Sequence, residues 1–140
     1  HGRGIIQPTL WEDAKGVVHA LMRSGEGCIY RSDSKDQGET WSVPYPINLP
    51  NNNSGIDLTR MDDGTLLLVY NPVTESWGVR SPITIAESKD NGATWQDLCD
   101  LQTELGEFSY PAIVNVGNKV FITYTHKREN IAYWEFEYFC

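Results

Sequence analysis

The octapeptide SKDQGETW, from Ser34 to Trp41, recurs in the chain as SKDNGATW, from Ser88 to Trp95. Both copies read S-x-D-x-G-x-T-W, a pattern that chance rarely produces twice in one chain. An Asp side chain can accept backbone N–H bonds inside a tight turn, glycine permits a positive φ, and a Trp ring buries a large apolar area. The repeated octapeptide therefore predicts one kind of β-turn, used twice at corresponding places in a repeated unit.

Short apolar segments rich in β-prone residues surround the repeat in a fixed order. Three of them each follow a turn: 17–23, 66–71 and 120–125. Each is preceded by one further strand-like segment and followed by another; these lie at 7–10, 55–58 and 110–113 before, and at 28–31, 83–86 and 131–134 after. No stretch has a convincing helical period, so the sequence predicts an all-β chain.

The repeating unit reads as four strands, with the octapeptide between the third and the fourth. Units of roughly 45–55 residues with four strands are typical of β-propeller blades. We expect a propeller segment of about three four-stranded blades, at approximately 4–50, 52–104 and 106–140, the last without an octapeptide. Three blades cannot close a ring, so we expect the missing blades to come from the rest of a longer chain, which we favour, or from self-association.

The amino-acid composition limits the classes of partner that we expect the protein to bind. The net charge of −8 argues against nucleic acid or an anionic membrane, and no apolar run approaches the length of a membrane helix. A few local arginines can still dominate one anion-binding pocket. The cysteines, Cys28, Cys99 and Cys140, have no metal-binding spacing, so we expect no metal and no cofactor. They are expected to be structural thiols, with one disulfide as the alternative, and they leave the compartment open, an extracellular or periplasmic location being slightly favoured.

The sequence resembles the sialidase (neuraminidase) superfamily, and is most similar to its BNR, or Asp-box, repeat proteins. The resemblance covers almost the whole chain and is carried by both octapeptides and by the segments 6–11, 53–57 and 106–113. It implies a six-bladed propeller and the removal of a terminal acidic sugar, such as sialic acid, from a carbohydrate substrate. An Asp box is strong evidence for the fold and weak evidence for a function.

Strand order separates two faces of the expected propeller. Both Asp boxes lie between third and fourth strands, on the same face as the turns between first and second strands, and we expect them to be structural. The opposite face collects the long polar loops, rich in Arg, Asn, Glu, Tyr and His. Long polar loops on a rigid scaffold are where sites usually lie.

Sialidase-like chemistry requires arginines for the sugar carboxylate, a tyrosine nucleophile beside a carboxylate, and an acid for the leaving group. Arg23 and Arg80 are the best candidates for the carboxylate ligands. Tyr110 with Glu107 is the best nucleophile pair, and Asp57 is a candidate acid or polar contact.

Further candidates lie on the same face. Gln7 and Asn71 are candidates to bind sugar hydroxyls, although the pair Asn71-Pro72 is equally typical of a simple turn. His126 is a candidate to contact the sugar or to act as acid or base. Trp77 either stacks on a sugar ring or anchors its loop. The weaker arginine candidates are Arg3 and Arg128.

Two other functions compete with the hydrolase. A non-catalytic sugar-binding propeller predicts Tyr110 without a nearby carboxylate, and a polysaccharide lyase predicts Tyr110 paired with His126 instead of Glu107. The arginine motif and acid-bearing loop found early in sialidases are absent from the chain, so a general acid and at least one arginine would lie in blades upstream. The sequon at Asn52 lies on the expected site face, and we expect it to be unmodified.

Overall fold

The computed structural model describes residues 4–139, which form eleven β-strands and no helix. The first sheet holds Ile5–Glu12 (β1), Val18–Ser24 (β2), Cys28–Ser34 (β3) and Tyr45–Pro50 (β4). The second holds Asp57–Arg60 (β5), Leu66–Tyr70 (β6), Ile83–Ser88 (β7) and Gln96–Gln102 (β8). The third holds Phe108–Val116 (β9), Lys119–His126 (β10) and Asn130–Glu137 (β11).

Each sheet is an antiparallel meander in which strands adjacent in sequence are hydrogen-bonded neighbours. The first strands of the sheets lie side by side, β1 against β5 and β5 against β9. These are the inner strands of three successive blades, which confirms the all-β propeller segment. The third blade has three strands within residues 4–139, one fewer than the other two.

The central blade is buried on both of its faces, and its strand β6 shows why. All five residues of β6 are apolar and buried. Leu66, Leu68 and Tyr70 pack into the core shared with the first blade, whereas Leu67 and Val69 pack into the core shared with the third. A strand covered on both sides reads as a continuous apolar run because side chains alternate between the faces.

The Asp boxes form two turns with nearly the same hydrogen bonds. In the first, Asp36 accepts bonds from the Thr40 backbone N–H at 2.8 Å and from the Ser34 hydroxyl at 2.8 Å, and the Gly38 N–H donates to Ser34 Oγ at 2.8 Å. Gly38 has a φ of 94°. In the second box, Asp90 and Ser88 form the corresponding bonds at the same distances. These hydrogen bonds are all formed within the octapeptide, which explains why its sequence is the same in both turns.

The second Asp box also joins the first two blades. Its Asn91 accepts a hydrogen bond from Trp11 Nε1 at 2.8 Å and donates to Asp13 Oδ2 at 3.1 Å. Asp13 lies in the turn between β1 and β2. The box and that turn therefore share one face of the molecule, as the strand order predicts.

Two inner strands are interrupted at equivalent positions. The pairing of β1 shifts register between Ile6 and Thr9, and that of β9 shifts where β10 passes from Thr123 to Thr125. Gln7 in β1 and Tyr110 in β9 have positive φ values of 52° and 51°, and each precedes a proline. A bulge redirects the side chain it carries, so the fold aims both residues away from the regular pleat.

Of the cysteines within the described residues, Cys28 and Cys99 are free thiols. The candidate Arg3 and the third cysteine, Cys140, lie outside the described residues. Within residues 4–139, no helix is long and apolar enough to cross a membrane.

Candidate functional site

Arg23 is a buried arginine near the end of β2, with only 5% of its surface exposed. Its Nη1 donates to Gln7 Oε1 at 2.7 Å, its Nε donates to Asn53 Oδ1 at 3.2 Å, and its Nη2 donates to the Asn53 carbonyl. A guanidinium has five N–H donors, so two remain for other acceptors. These contacts fix the orientation of the cation without neutralising it, because none of the three acceptors is a carboxylate.

Arg80 lies at the end of the loop between β6 and β7 and faces the third blade. Its Cζ lies 5.4 Å from the centroid of the Tyr110 ring, and its Nη1 lies 3.3 Å from Glu107 Oε1. The Phe108 backbone N–H also donates to the Arg80 carbonyl at 3.0 Å. The arginine is thus held at both its backbone and its side chain, beside the tyrosine.

Tyr110 lies beside both arginines, and this is the central feature of the site. Its ring lies next to Arg80, and the ring approaches Gly55 together with Oε1 of Gln7, the atom that Arg23 binds. The Arg80 guanidinium, followed by that of Arg23, lowers the pKa of Tyr110 below the ordinary value of a phenol, against an opposing effect of desolvation. Tyr110 is 49% exposed, so solvent and solutes reach it. Two largely buried cations thus flank an exposed phenol of increased acidity, an arrangement suited to binding an anionic group.

A close approach of the backbone makes room for this arrangement. A Cβ at Gly55 would lie 3.3 Å from Cδ1 of Tyr110 and 3.9 Å from Oε1 of Gln7. A side chain there would press on the Tyr110 ring. Glycine at this position leaves the space that the Tyr110 ring occupies beside the segment between the first two blades.

Glu107 is bound by arginines rather than by the tyrosine. Its Oε1 accepts from Arg128 Nε at 2.8 Å and from Arg80 Nη1 at 3.3 Å. The sequence predicts Glu107 as the partner of Tyr110, and the structure brings the two close together only through Arg80, which contacts both. The direct pairing of Tyr110 with Glu107 stays a prediction.

Asp57, the candidate acid, joins three inner strands. Its Oδ1 accepts from the Thr9 hydroxyl at 2.8 Å, and its Oδ2 accepts from the Ile113 backbone N–H at 2.9 Å. Thr9 also accepts from the Leu58 N–H at 3.2 Å. Both carboxylate oxygens are therefore engaged in holding β1, β5 and β9 together.

Asn71 is fully buried, and its amide is satisfied by the protein. Nδ2 donates to the Pro82 carbonyl at 2.8 Å and to the Phe108 carbonyl at 3.0 Å, while Oδ1 accepts from the Ser54 hydroxyl at 3.0 Å. These contacts make Asn71 a support for the surrounding loops. The predicted contact with a sugar hydroxyl has no support from this geometry.

His126 and Trp77 lie at the rim of the site. The His126 ring lies 5.1 Å from that of Phe108, and its Nε2 is 3.7 Å from Glu104 Oε1. Trp77 is 77% exposed and has a positive φ of 61°. An anchoring side chain would be buried, so its exposure favours the interpretation that the indole is presented to a ligand.

The sequence reasoning missed the residues that hold the arginines. Asn53 supplies two acceptors to Arg23, and Asn52 donates to the Val79 carbonyl, directly before Arg80, at 2.7 Å. The signal was present as three consecutive asparagines, 51–53, between two strands. Within residues 4–139, no group of three or more His, Cys, Asp or Glu side chains is arranged to hold a metal ion.

The chain matches a known protein family. The sequence profile described as BNR repeat-like domain matches residues 1–122. A comparison with curated proteins gives no significant match.

Several solved structures share the fold. The alpha-L-arabinanase of Penicillium chrysogenum, solved with arabinobiose, is 18% identical over 94% of this chain and 45% of its own, with a TM-score of 0.72. A leech intramolecular trans-sialidase is 18% identical over 93% of this chain and 23% of its own, with a TM-score of 0.65. The NanB sialidase of Streptococcus pneumoniae is 18% identical over 85% of this chain and 20% of its own, with a TM-score of 0.63. The chain thus spans less than half the length of these structures, and the likeness concerns the fold.

Proposed function

Because the chain belongs to the BNR repeat-like domain family, we propose that it is the ligand-binding part of a propeller glycoside hydrolase that removes a terminal acidic sugar from a glycan. The observation that carries the proposal is that Tyr110 lies between two arginines: its ring is 5.4 Å from Arg80 Cζ, and it packs at Gly55 beside Gln7, which binds Arg23. Two largely buried guanidinium groups beside an exposed tyrosine match a sugar carboxylate in charge and in hydrogen-bonding capacity.

The similar solved structures support the hydrolase class. Those named above include an arabinanase and two enzymes of the sialidase type, and their sugars differ. An arabinose unit carries no carboxylate. The paired arginines are therefore the reason to choose an acidic sugar for this chain, with sialic acid as the first case to test.

In the proposed reaction, Arg23 and Arg80 bind the carboxylate and so orient the sugar ring over Tyr110. The phenol, made more acidic by the same arginines, loses its proton to a base, for which Glu107 is the candidate, and attacks the anomeric carbon. The glycosidic C–O bond breaks as the leaving oxygen takes a proton from the general acid, and water then hydrolyses the glycosyl–tyrosine bond. Gln7, bound to Arg23 and exposed, is placed to meet a sugar hydroxyl, and Trp77 to stack on a ring. In the proposal, the general acid lies in the remaining blades, beyond residues 1–140, because both oxygens of Asp57 are engaged between strands.

A panel of fluorogenic glycosides tests the proposal with the full-length protein. We expect turnover of an acidic glycoside, such as that of N-acetylneuraminic acid or of a uronic acid, and none of a neutral arabinoside. Tyr110→Phe should abolish turnover while retaining binding of the free acidic sugar, because the arginines remain. Turnover of only the neutral glycoside would overturn the choice of sugar. Binding of the acidic sugar without any cleavage would identify a carbohydrate-binding module.

One observation favours a second candidate function, a lyase acting on a uronate. Glu107 is bound by Arg80 and Arg128, and the neighbour of the Tyr110 ring is the cation Arg80. A phenolate beside arginines that bind a uronate carboxylate is suited to remove the proton on the carbon next to that carboxylate. His126, the expected partner, instead contacts Glu104. An unsaturated sugar product, detected by its ultraviolet absorbance, would establish the lyase and exclude the hydrolase.

A further inference from the structure

Three neutral polar residues lie buried between the blades beneath the site: Asn52, Ser54 and Asn71. Asn52 is 1% exposed, and the other two are fully buried. The Ser54 hydroxyl lies between the two side-chain oxygens, contacting that of Asn52 and, at 3.0 Å, that of Asn71. We call these three residues the amide core. One hydroxyl proton shared between two amides makes them a single connected group.

The amide core ends on backbone carbonyls next to the site residues. Asn52 donates to the carbonyl of Val79, which directly precedes Arg80. Asn71 donates to the carbonyl of Pro82, after Arg80, and to that of Phe108, in the strand that carries Tyr110.

Arg23, the third site residue, is held by the same loop. Asn53, which lies between Asn52 and Ser54 in sequence, accepts two hydrogen bonds from Arg23. Its own backbone N–H donates to Asn51 Oδ1 at 3.0 Å, which fixes its positive φ of 62°. The backbone on either side of Asn53 is therefore fixed by buried hydrogen bonds.

We propose that the amide core is a positioning device that sets the distances among Arg23, Arg80 and Tyr110. The inference rests on the proposed function, in which these three groups face the substrate carboxylate. Buried amides that lose a partner have no water to replace it, so the group permits one arrangement of its backbone ends. Its members carry no charge, so they fix the arginines without competing with an anionic ligand for them.

Ser54→Ala is the variant that tests the positioning role. It removes the shared hydroxyl proton and leaves both amide oxygens without that donor, while adding no charge. The chain offers a matched control in Ser109→Ala. Ser109 is equally buried and is next to Tyr110, and its hydroxyl makes no hydrogen bond to any of residues 4–139.

The readout is the ionisation of Tyr110, which needs no ligand. Ultraviolet absorbance of tyrosinate is followed against pH in the full-length protein, and the curve of Tyr110→Phe is subtracted to isolate one phenol. A guanidinium displaced from about 4 Å to about 5 Å from the phenolate, at an effective dielectric constant of about 20, raises the midpoint by about 0.6 pH unit. We expect a rise of that order in Ser54→Ala and no change in Ser109→Ala.

Each outcome decides the proposal. A purely structural role predicts that Ser54→Ala lowers the urea midpoint of unfolding with the Tyr110 ionisation unchanged, and that result would overturn the positioning role. If Ser54→Ala does not fold, the titration is made on Ser54→Cys, whose thiol is only a weak donor. The same criterion applies: a raised midpoint supports the positioning role, and an unchanged midpoint overturns it. Because no sugar is involved, this result is independent of the glycoside panel, so failure of the proposed reaction and failure of the positioning role are separately visible.

Discussion

Replacing Asp57 separates a structural carboxylate from a catalytic one. The carboxylate accepts hydrogen bonds from Thr9 of the first blade and from Ile113 of the third, at 2.8 and 2.9 Å. Hydrogen bonds to a charged group contribute about 1.5–3 kcal/mol each, and Asp57 is partly exposed, so we take the lower end. Asp57→Ala should therefore lower the free energy of unfolding by about 3 kcal/mol.

Asp57→Asn should be much milder, and the contrast makes the test specific. The amide keeps an oxygen for the Ile113 N–H, and its NH₂ group can donate to the Thr9 hydroxyl. We expect a loss of about 1 kcal/mol, because neutral hydrogen bonds replace charged ones. A general acid would add a second effect: with the same small loss of stability, Asp57→Asn would lower turnover by about 100-fold or more.

Urea unfolding of the full-length protein measures these differences, and turnover of the best glycoside is measured in parallel. Asp62→Ala serves as the control, since Asp62 is exposed in the turn between β5 and β6 and should change stability by less than about 0.5 kcal/mol. Equal unfolding free energies for Asp57→Ala and the parent protein would refute the structural reasoning. A loss of turnover of about 100-fold or more in Asp57→Asn, with no more than the small expected loss of stability, would identify Asp57 as the acid.

Three further predictions follow from the site and the turns. Arg80→Met should weaken the binding of an acidic monosaccharide, measured by calorimetry, about 10- to 100-fold, because a charged hydrogen bond is lost. The control Arg60→Met, on the Asp-box face, should leave binding unchanged, and equal losses in the two variants would contradict the site. Asn52 should carry no glycan when the protein is secreted from a eukaryotic host, because its side chain is buried and bonded, and a glycosylated Asn52 peptide in mass spectrometry would disprove this packing. The turn hydrogen bonds lower the pKa of Asp36 and Asp90 from 3.8 to about 2, so the stabilisation by the two carboxylates is complete above about pH 4 and is lost as the pH falls towards 2. In urea unfolding, the double variant Asp36→Asn, Asp90→Asn should lose less stability over that pH interval than the parent protein. An unchanged pH dependence would contradict the assignment.

The fold was predictable because its determinants are local. Each Asp box closes its own hydrogen bonds within eight residues, so its sequence alone specifies the turn. The apolar run of β6 likewise reveals a strand covered on both sides. The third blade, without a box, was recognised only through its three apolar segments, and those became β9, β10 and β11.

The site was predictable only in part, because its contacts join residues distant in sequence. The sequence singled out Arg23, Arg80 and Tyr110 by residue type and by the face of the blade. The structure places Arg80 beside the Tyr110 ring, and it places Gln7, the partner of Arg23, beside the same ring at Gly55. The choice of partner for Glu107 depended on Arg128, in a turn of another strand pair. Spacing along the chain carries no information on such a choice.

The buried asparagines show a second limit. Asn71 has the residue type of a sugar ligand and lies on the expected face, yet its amide is fully used inside the protein. Burial is a property of the packed blades, since three separate segments must close over the side chain. A pattern of polar residues in a loop therefore does not distinguish a ligand contact from a support.

The most direct measurement is a crystal structure of the full-length protein soaked with an acidic monosaccharide, such as N-acetylneuraminic acid. Our account predicts the sugar carboxylate within hydrogen-bonding distance of both Arg23 and Arg80, with the ring over the Tyr110 hydroxyl. A sugar bound elsewhere, or a carboxylate that touches neither arginine, would contradict it.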